Sequence, residues 1–321
     1  MITDNVINVQ KYLKTKLNKN IEIVKQYKRG ISGAHILELL VDGNNYILKM
    51  IEKADIKDKI ALDSFIKEYE FYGLPNTTAL KKYLGHYIPE ILYSENNNEY
   101  VIIIMKKYEE VLSTDWNKEL LDSMIDLITD VHICPLDTVF DLGITPSKQK
   151  NITDGAINQG KEKWNIVLQE HGEYFDQTIL DNIAVSFTMM NDIMNNSGQY
   201  ICHGDFHPGN ILKDEDNNLI LCDWQNINFN NGVGELSFFI SRGLSSGLSL
   251  NKDELLGKYC TKLSMKLGIE YSFIELKKIL CASTVMTNFL LWPYYLHGSE
   301  RSRVENIYKE MLESFEYIVY N

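Results

Sequence analysis

The residues best suited to chemistry lie in one short segment, 203–212, with a further acid just downstream. Asp205 and Asn210 stand five residues apart, and Asp223 follows Asn210 by thirteen residues. A carboxylate can accept the proton of a substrate hydroxyl, and carboxylate and amide oxygens are ligands that Mg²⁺ prefers. Phosphoryl transfer needs little more than an aligned nucleophile and neutralised phosphate oxygens. We therefore predict Asp205 as a catalytic base and Asn210 and Asp223 as magnesium ligands.

Each of these residues also has a simpler explanation when taken alone. Asp and Asn are common in turns, and Asp223 could merely end a strand. Their joint spacing, with His203 and Gly204 before the first acid and Pro208 after it, favours the functional interpretation. We expect His203 to be a packed support of the loop and not a proton shuttle. For His207 a contact with the γ-phosphate and a purely structural role both stay open.

The pattern H-G-D-x-x-x-x-N, followed by an apolar residue, Asp and an aromatic residue, resembles aminoglycoside phosphotransferases, choline kinases and related small-molecule kinases. Protein kinases carry a similar loop, H-R-D-x-x-x-x-N, and a later D-F-G acid. In this chain Gly204 replaces the Arg, and Asp223 is followed by Trp224 and Gln225. Both differences favour a small-molecule acceptor over a protein acceptor.

The resemblance implies a nucleotide site upstream. Lys49, in the apolar run 46–51, takes the place of the lysine that binds the α- and β-phosphates, and Glu68 that of the acid which holds the lysine. A solvated lysine at a strand end is the alternative for Lys49.

Two weaker features complete the expected nucleotide site. Segment 29–35 supplies small residues, including Ser32 and Gly33, whose backbone could approach phosphates, although an ordinary hairpin turn explains them nearly as well. Met105, Lys106 and Tyr108 follow the order of the hinge that binds the purine edge in such kinases.

Segment 232–237 resembles the element that follows the metal-binding acid in these kinases. An Asp there commonly braces the catalytic loop, and in this chain Glu235 takes its place. Bracing, a substrate contact and a plain helix-start carboxylate therefore all stay open for Glu235.

The elements that must position these residues change character near residue 107. Upstream, the apolar runs 36–41, 46–51 and 100–105 predict strands, the turn residues 42–45 predict a hairpin, and 64–72 predicts one helix. Downstream, an apolar stripe over 116–131 begins a helical region. The further helices that we expect there are 176–195, 252–267, 273–291 and 301–319. The short apolar runs 200–202 and 219–222 predict a small hairpin within this region.

These patterns, with the resemblance, predict an α+β, bilobal protein-kinase-like fold. Residues 1–107 would form a small N-terminal lobe with an antiparallel sheet and one helix, and would bind the nucleotide. Residues 108–321 would form a larger, mainly helical C-terminal lobe for catalysis and substrate binding. ATP or GTP would be the co-substrate, together with Mg²⁺.

Composition narrows the class of partner. The chain has 32 basic and 44 acidic residues, a formal net charge of −12, which disfavours nucleic acid. There is no apolar run long enough to span a membrane, no secretory signal and no CxxC pair among five cysteines. We therefore expect a cytoplasmic protein with reduced cysteines and no membrane partner.

The resemblance implies a hydroxylated small-molecule acceptor, such as an aminoglycoside or a choline-like amino alcohol. The excess of acidic residues favours a cationic one, and the sequence carries no signal for an oligomeric state. Two alternatives are a protein kinase and a nucleotide-binding pseudokinase that regulates a partner. The first is disfavoured because D-F-G and A-P-E motifs are absent, and the second because the essential acids are present.

Overall fold

The computed structural model describes residues 4–27, 33–144, 152–172 and 175–321. The chain divides into two compact units. The first unit comprises Met1–Glu110, Asp141–Gly143 and Asn210–Asn226, and the second comprises Val111–Phe140, Ile144–Gly209 and Ile227–Asn321. The division is therefore not a single cut, since the segment that carries Asn210 and Asp223 groups with the N-terminal part. The proposed domain boundary between residues 107 and 108 stays a prediction.

Ten strands lie within the described residues. In chain order they are β1 (Ile21–Gln26), β2 (His35–Val41), β3 (Asn44–Glu52), β4 (Ile91–Asn96), β5 (Tyr100–Lys106), β6 (Glu109–Glu110), β7 (Tyr200–Cys202), β8 (Ile211–Lys213), β9 (Leu219–Leu221) and β10 (Asn228–Asn230). They form a five-stranded sheet in the order β1-β2-β3-β5-β4, a three-stranded sheet β6-β8-β9 and a two-stranded sheet β10-β7. All of the pairings are antiparallel.

Twelve α-helices lie within the same described residues. In chain order they are α1 (Asp4–Leu17), α2 (Lys59–Gly73), α3 (Ala79–Leu84), α4 (Lys118–Ile133), α5 (Asp154–His171), α6 (Thr178–Val185), α7 (Phe187–Asn195), α8 (Gly232–Ser245), α9 (Lys252–Leu267), α10 (Phe273–Leu290), α11 (Pro293–Leu296) and α12 (Arg301–Tyr320). No helix in the described ranges is both long and apolar enough to cross a membrane.

The predicted hairpin between β2 and β3 is confirmed. Asp42 and Gly43 have φ of 50° and 88°, and Val41 pairs with Asn44 across the turn. Positive φ at both central residues gives the turn a twist that matches the strands. The first unit also holds α1, α2 and α3, where one helix was expected. The helix α1 escapes prediction because its segment is highly charged and buries a narrow stripe that includes Val9 and Leu13.

The short strands pair differently from the prediction. The runs 200–202 and 219–222 were expected to form one hairpin, which is wrong: β9 pairs with β8, and β7 pairs with β10. The turn 214–218 explains the difference, since Asp214 donates from its backbone N–H to the carbonyl of Asn218 and closes the shorter hairpin. Local closure over a few residues costs less chain entropy than the longer pairing.

The core of the second unit is built by α5, α7, α10 and α12. Trp164, Phe187, Phe289 and Val304 are fully buried in it. The predicted helices 252–267, 273–291 and 301–319 are confirmed within one residue at each end. The single helix expected at 176–195 is wrong, because it is two helices, α6 and α7, that meet at Ser186. All five cysteines are free, and Cys222 alone among them is partly exposed.

We expect Phe289→Ala to lower the free energy of unfolding by about 3–5 kcal/mol, because it leaves a cavity beside Phe187, whose ring centroid lies 5.2 Å away. Urea denaturation measures the change. Ile274→Ala on the same helix is the matched control, since Ile274 is 60% exposed. Equal losses in the two variants would contradict the assignment of Phe289 to the core.

Candidate active site

A lysine and two carboxylates form a charged cluster in the first unit. The Nζ atom of Lys49 lies 2.6 Å from Oε2 of Glu68 and 2.6 Å from Oδ1 of Asp223. Lys49 projects from β3, which pairs with β2 and β5, while Glu68 projects from α2. The Glu68 side chain is fully buried, that of Lys49 is 10% exposed and that of Asp223 is 29% exposed. The structure thus brings together three residues singled out from the sequence.

The charges in this cluster depend on one another. Burial opposes the charged form of Lys49, but the two carboxylates outweigh it and hold the pKa of Lys49 above its ordinary value. Burial raises the pKa of Glu68 to about 7, against the attraction of Lys49. Loss of one member would leave a buried charge without its partner, which is strongly destabilising.

Aromatic packing next to Asp223, the acid of this cluster that follows β9, fixes the position of its carboxylate. The ring of Trp224 stacks on that of Phe71 from α2, with 4.4 Å between ring centroids, and its Nε1–H donates to the carbonyl of Leu221 at 2.7 Å. Asp223 has a φ of 67°, a left-handed conformation that Asp tolerates better than most residues. The stacked Trp224 holds the chain in this turn, so Asp223 points towards Lys49.

Asn210 and Asp223 lie at the same end of a hairpin in the first unit. Asn210 precedes β8, Asp223 lies two residues beyond β9, and the N–H of Cys222 donates to the carbonyl of Asn210 at 2.9 Å. Both side chains are partly exposed. One amide oxygen and one carboxylate at this hairpin end are a donor set that fits a hard cation such as Mg²⁺.

The loop that carries Asp205 belongs to the second unit. Gly204 has a φ of 84°, a left-handed conformation that glycine adopts without steric strain. His203 is fully buried, and its Nδ1 accepts a hydrogen bond from the N–H of Asp205 at 3.3 Å, in agreement with its predicted support role. Asp205 is 28% exposed, and its Oδ1 lies 3.7 Å from Nε2 of His207.

Glu235, in the first turn of α8, braces this loop. Its Oε1 accepts from the N–H of Gly204 at 2.6 Å, and its Oε2 accepts from the N–H of His203 at 3.1 Å. The same Oε2 lies 3.0 Å from Nε2 of His132, whose Nδ1 lies 2.8 Å from the hydroxyl of Tyr259. Of the three roles left open for Glu235, the structure supports bracing, and the longer side chain still reaches the loop.

The side chains of His132 and Tyr259, in the network around Glu235, pack directly against the backbone of Gly232. A Cβ atom there would lie 2.6 Å from the Tyr259 hydroxyl and 2.7 Å from Nδ1 of His132. Burial favours the neutral form of Glu235, but the hydrogen bond and charge of His132 outweigh it and hold the pKa of Glu235 below its ordinary value.

Cys202 completes a group of possible metal ligands with His132 and Glu235, whose ligand atoms all lie within 4.8 Å of one another. Burial raises the pKa of the Cys202 thiol well above its ordinary value. His132 and Glu235 are already joined to each other and to the loop. We interpret the group as the brace of the loop.

A cavity of about 540 Å³ lies in the second unit beside the Asp205 loop. Gly204 and Phe206, the two neighbours of Asp205 in sequence, both line it, as does Glu235. This volume is within the range of small-molecule sites.

The remaining predicted site residues lie in the first unit. Met105 and Lys106 end β5, and the Tyr108 hydroxyl accepts from the N–H of Glu90 at 3.0 Å. Gly33 has a φ of 75°, and Ser32 lies outside the described residues. The roles of all five in nucleotide binding stay predictions.

His132 and Tyr259 are functional candidates that the sequence reasoning missed. His132 closes an apolar stripe on α4 and is 2% exposed, while Tyr259 is fully buried on α9. A histidine that continues the apolar face of a helix is the signal by which His132 could have been predicted. Tyr259 lies 127 residues after His132 in sequence, and no local pattern marks it.

With this geometry in place, comparisons with known proteins give a consistent result. The family model described as "Ecdysteroid kinase-like family" matches residues 144–269. A search of the curated proteins found no significant match.

Solved structures of small-molecule kinases share the fold over nearly the whole chain. The choline kinase of Cryptosporidium parvum Iowa II matches with a TM-score of 0.63 and 12% identity, over 98% of this chain and 96% of that one. A macrolide 2'-phosphotransferase type I matches with 0.58 and 14%, over 97% and 98%. The choline kinase LicA of Streptococcus pneumoniae matches with 0.58 and 13%, over 98% and 99%.

These matches define the class of fold. The chain has the α+β, protein-kinase-like fold of small-molecule phosphotransferases, which confirms the predicted fold class. The resemblance to aminoglycoside phosphotransferases and choline kinases drawn from residues 203–224 is also confirmed.

We expect Glu235→Gln to lower the free energy of unfolding by about 3 kcal/mol near neutral pH, because it removes the charge of a buried, paired network. The native pKa of Glu235 lies below the ordinary 4.5, so its contribution is complete above that value and is lost as the pH falls through the native pKa. Urea denaturation at several pH values should therefore show the difference from the parent protein shrinking below pH 4.5.

Glu254→Gln is the matched control for this prediction. Glu254 is 51% exposed and pairs with Lys258 one turn along α9, so its loss should cost about 0.5 kcal/mol or less. A Glu235→Gln effect as small as that of the control would remove the bracing role.

Proposed function

We propose that this chain is a small-molecule kinase that transfers the γ-phosphate of ATP or GTP to a hydroxyl group of a small organic acceptor. The observation that carries the proposal is the cluster of Lys49, Glu68 and Asp223, with 2.6 Å on each side of the lysine. A buried ammonium group held in a fixed place between two carboxylates is what binding to nucleotide phosphates requires.

On this proposal Lys49 binds the α- and β-phosphates while Glu68 keeps the ammonium in place. Gly33 and Ser32 would contribute backbone N–H groups to the phosphates. Met105, Lys106 and Tyr108 would contact the purine; this assignment rests on their order along the chain. His207, whose Nε2 lies 3.7 Å from Oδ1 of Asp205, would contact the γ-phosphate.

Asp205 acts as the base that accepts the proton of the acceptor hydroxyl. Its carboxylate is partly exposed, as a group that must meet a substrate has to be, while the N–H groups on its N-terminal side are tied to Glu235. A braced backbone keeps the carboxylate oriented before the acceptor arrives, which lowers the entropic cost of the reactive geometry.

Asn210 and Asp223 would hold Mg²⁺, since they supply oxygen donors at one end of a hairpin. The ion would neutralise charge on the phosphate oxygens.

Relatives with the same fold support a nucleotide co-substrate. Their solved structures include the choline kinase LicA in complex with AMP, the aminoglycoside 2'-phosphotransferase-IIIa with GDP, and the aminoglycoside phosphotransferase APH(4)-Ia with ADP and hygromycin B. The identities are 11–14%, so the choice between ATP and GTP for this chain is decided by assay.

The five free cysteines support a reducing, cytoplasmic location.

We expect Asp205→Asn to lower the rate of phosphate transfer at least about a hundredfold while nucleotide affinity changes little, since the amide cannot accept the proton. Labelled ATP and GTP with Mg²⁺, tested against panels of hydroxylated amines, sugars, neutral alcohols and proteins, measure the transfer. Asp216→Asn, at an exposed turn, is the matched control. Nucleotide binding with no transfer by the parent protein would instead indicate a pseudokinase, and transfer only to proteins a protein kinase.

Lys49→Met should weaken productive nucleotide binding, with kcat/KM for the nucleotide falling about a hundredfold, because the phosphates lose a fixed cation. Titration calorimetry and steady-state kinetics measure the two effects. Lys25→Met, at an exposed position of β1 in the same sheet, should leave both unchanged. Unaltered kinetics in Lys49→Met would exclude this cluster as the nucleotide-binding site.

A further inference from the structure

The cavity beside the Asp205 loop differs in character from the acidic chain that contains it. Several of its lining residues are apolar: Ile152, Met194, Phe206, Phe238, Met286 and Leu290. Neutral polar groups are interspersed, among them Asn191, Asn230, Ser283 and Thr287. Among the described lining residues, Glu235 is the only charged one.

That single charge is not available to a ligand. Glu235 is 7% exposed, and its two oxygens already accept from Gly204 and His203 and contact His132. A carboxylate committed to three partners inside the protein has little capacity left for a further cation. The described lining of the cavity therefore has no free anion to offset the desolvation of a positive charge on the body of the acceptor, and the Asp205 carboxylate beside it is taken up by the acceptor hydroxyl.

From this lining we propose that the acceptor is an uncharged alcohol with a largely apolar body, and not a polyamine or a quaternary ammonium compound. The inference rests on the kinase function proposed above and names the acceptor class for the same reaction. It departs from the cationic acceptor expected from the net charge of −12, because Glu235 is the one acidic residue among the described residues that line this cavity.

The apolar side chains bind the body of the acceptor, and the neutral polar groups orient its hydroxyl groups. Asp205 accepts the proton as the acceptor oxygen bonds to the γ-phosphorus. The bond from that phosphorus to the bridging oxygen breaks, and the nucleoside diphosphate leaves with the electron pair. The products are a phosphate monoester, a nucleoside diphosphate and one proton.

Choline and its uncharged carbon isostere, in which a tert-butyl group replaces the trimethylammonium group, form a matched test pair. Titration calorimetry on the full chain measures the binding of each, and labelled ATP and GTP with Mg²⁺ measure transfer to each. We expect the isostere to bind, and its kcat/KM to be at least about tenfold higher than that of choline. A tenfold ratio clearly separates a site for neutral alcohols from a site for cations. Larger bicyclic neutral alcohols, paired with the aminoglycoside kanamycin, extend the comparison to acceptors that fill the cavity.

The outcomes separate this inference from the proposed function. Transfer that favours choline or kanamycin would overturn the inference and keep the kinase; Phe206 and Phe238 would then be binding a cation through their ring faces. Nucleotide binding without transfer to any acceptor would overturn the proposed function, while the binding measurements would still decide the class of ligand. Failure of every neutral alcohol to bind would overturn the assignment of the cavity.

A carboxylate placed in the cavity should reverse the selectivity. We expect Met286→Glu, or Thr287→Asp if the first variant does not fold, to lower the ratio of isostere to choline in kcat/KM at least about tenfold. Met265→Glu is the matched control, since Met265 is 78% exposed on α9 and distinct from the cavity lining. An unchanged ratio in both cavity variants would exclude this cavity as the acceptor site.

Discussion

A buried ammonium group is stable only with carboxylates beside it. In the first unit, the ammonium group of Lys49 therefore constrains the segments that supply those carboxylates. Its strand, β3, lies inside a five-stranded sheet, so the charge is stable only because Glu68 and Asp223 contact it. Glu68 fixes α2, and Asp223 fixes the end of the hairpin formed by β8 and β9. One charge thus determines the relative positions of three segments, the last of them 174 residues away in sequence.

A second carboxylate organises the other unit. Glu235 holds the backbone on the N-terminal side of Asp205 and is itself held by His132 and, through it, by Tyr259. Because Glu235 is committed to this network, the described residues that line the cavity offer no free anion to the body of a ligand. On the proposed function, one side chain therefore both braces the loop of Asp205 and lines the acceptor cavity, which links the proposed reaction to the proposed substrate class.

Where local signals are strong, prediction and structure agree. The helix α9 was predicted with its observed bounds, since Asn251 caps its start and Gly268, with a φ of 66°, ends it. Asp205, Asn210 and Asp223 were singled out by spacing, and Lys49 and Glu68 by resemblance. The structure brings Lys49, Glu68 and Asp223 together, while the roles of all five stay predictions. The pairing of β7 with β10 and the helices α1 and α5 were missed, because their stability comes from packing against distant segments and not from their own sequences.

The sequence by itself determined the residue types, their spacing along the loop, the turns and most helix ends, because these depend on interactions between neighbours in the chain. It could not decide what Glu235 does, since its partner His132 lies 103 residues away and is reached only in the folded state. Nor could it decide the polarity of the cavity. The net charge is a sum over the whole chain, whereas the charge that a ligand meets depends on which side chains folding turns inward and which of them are already paired.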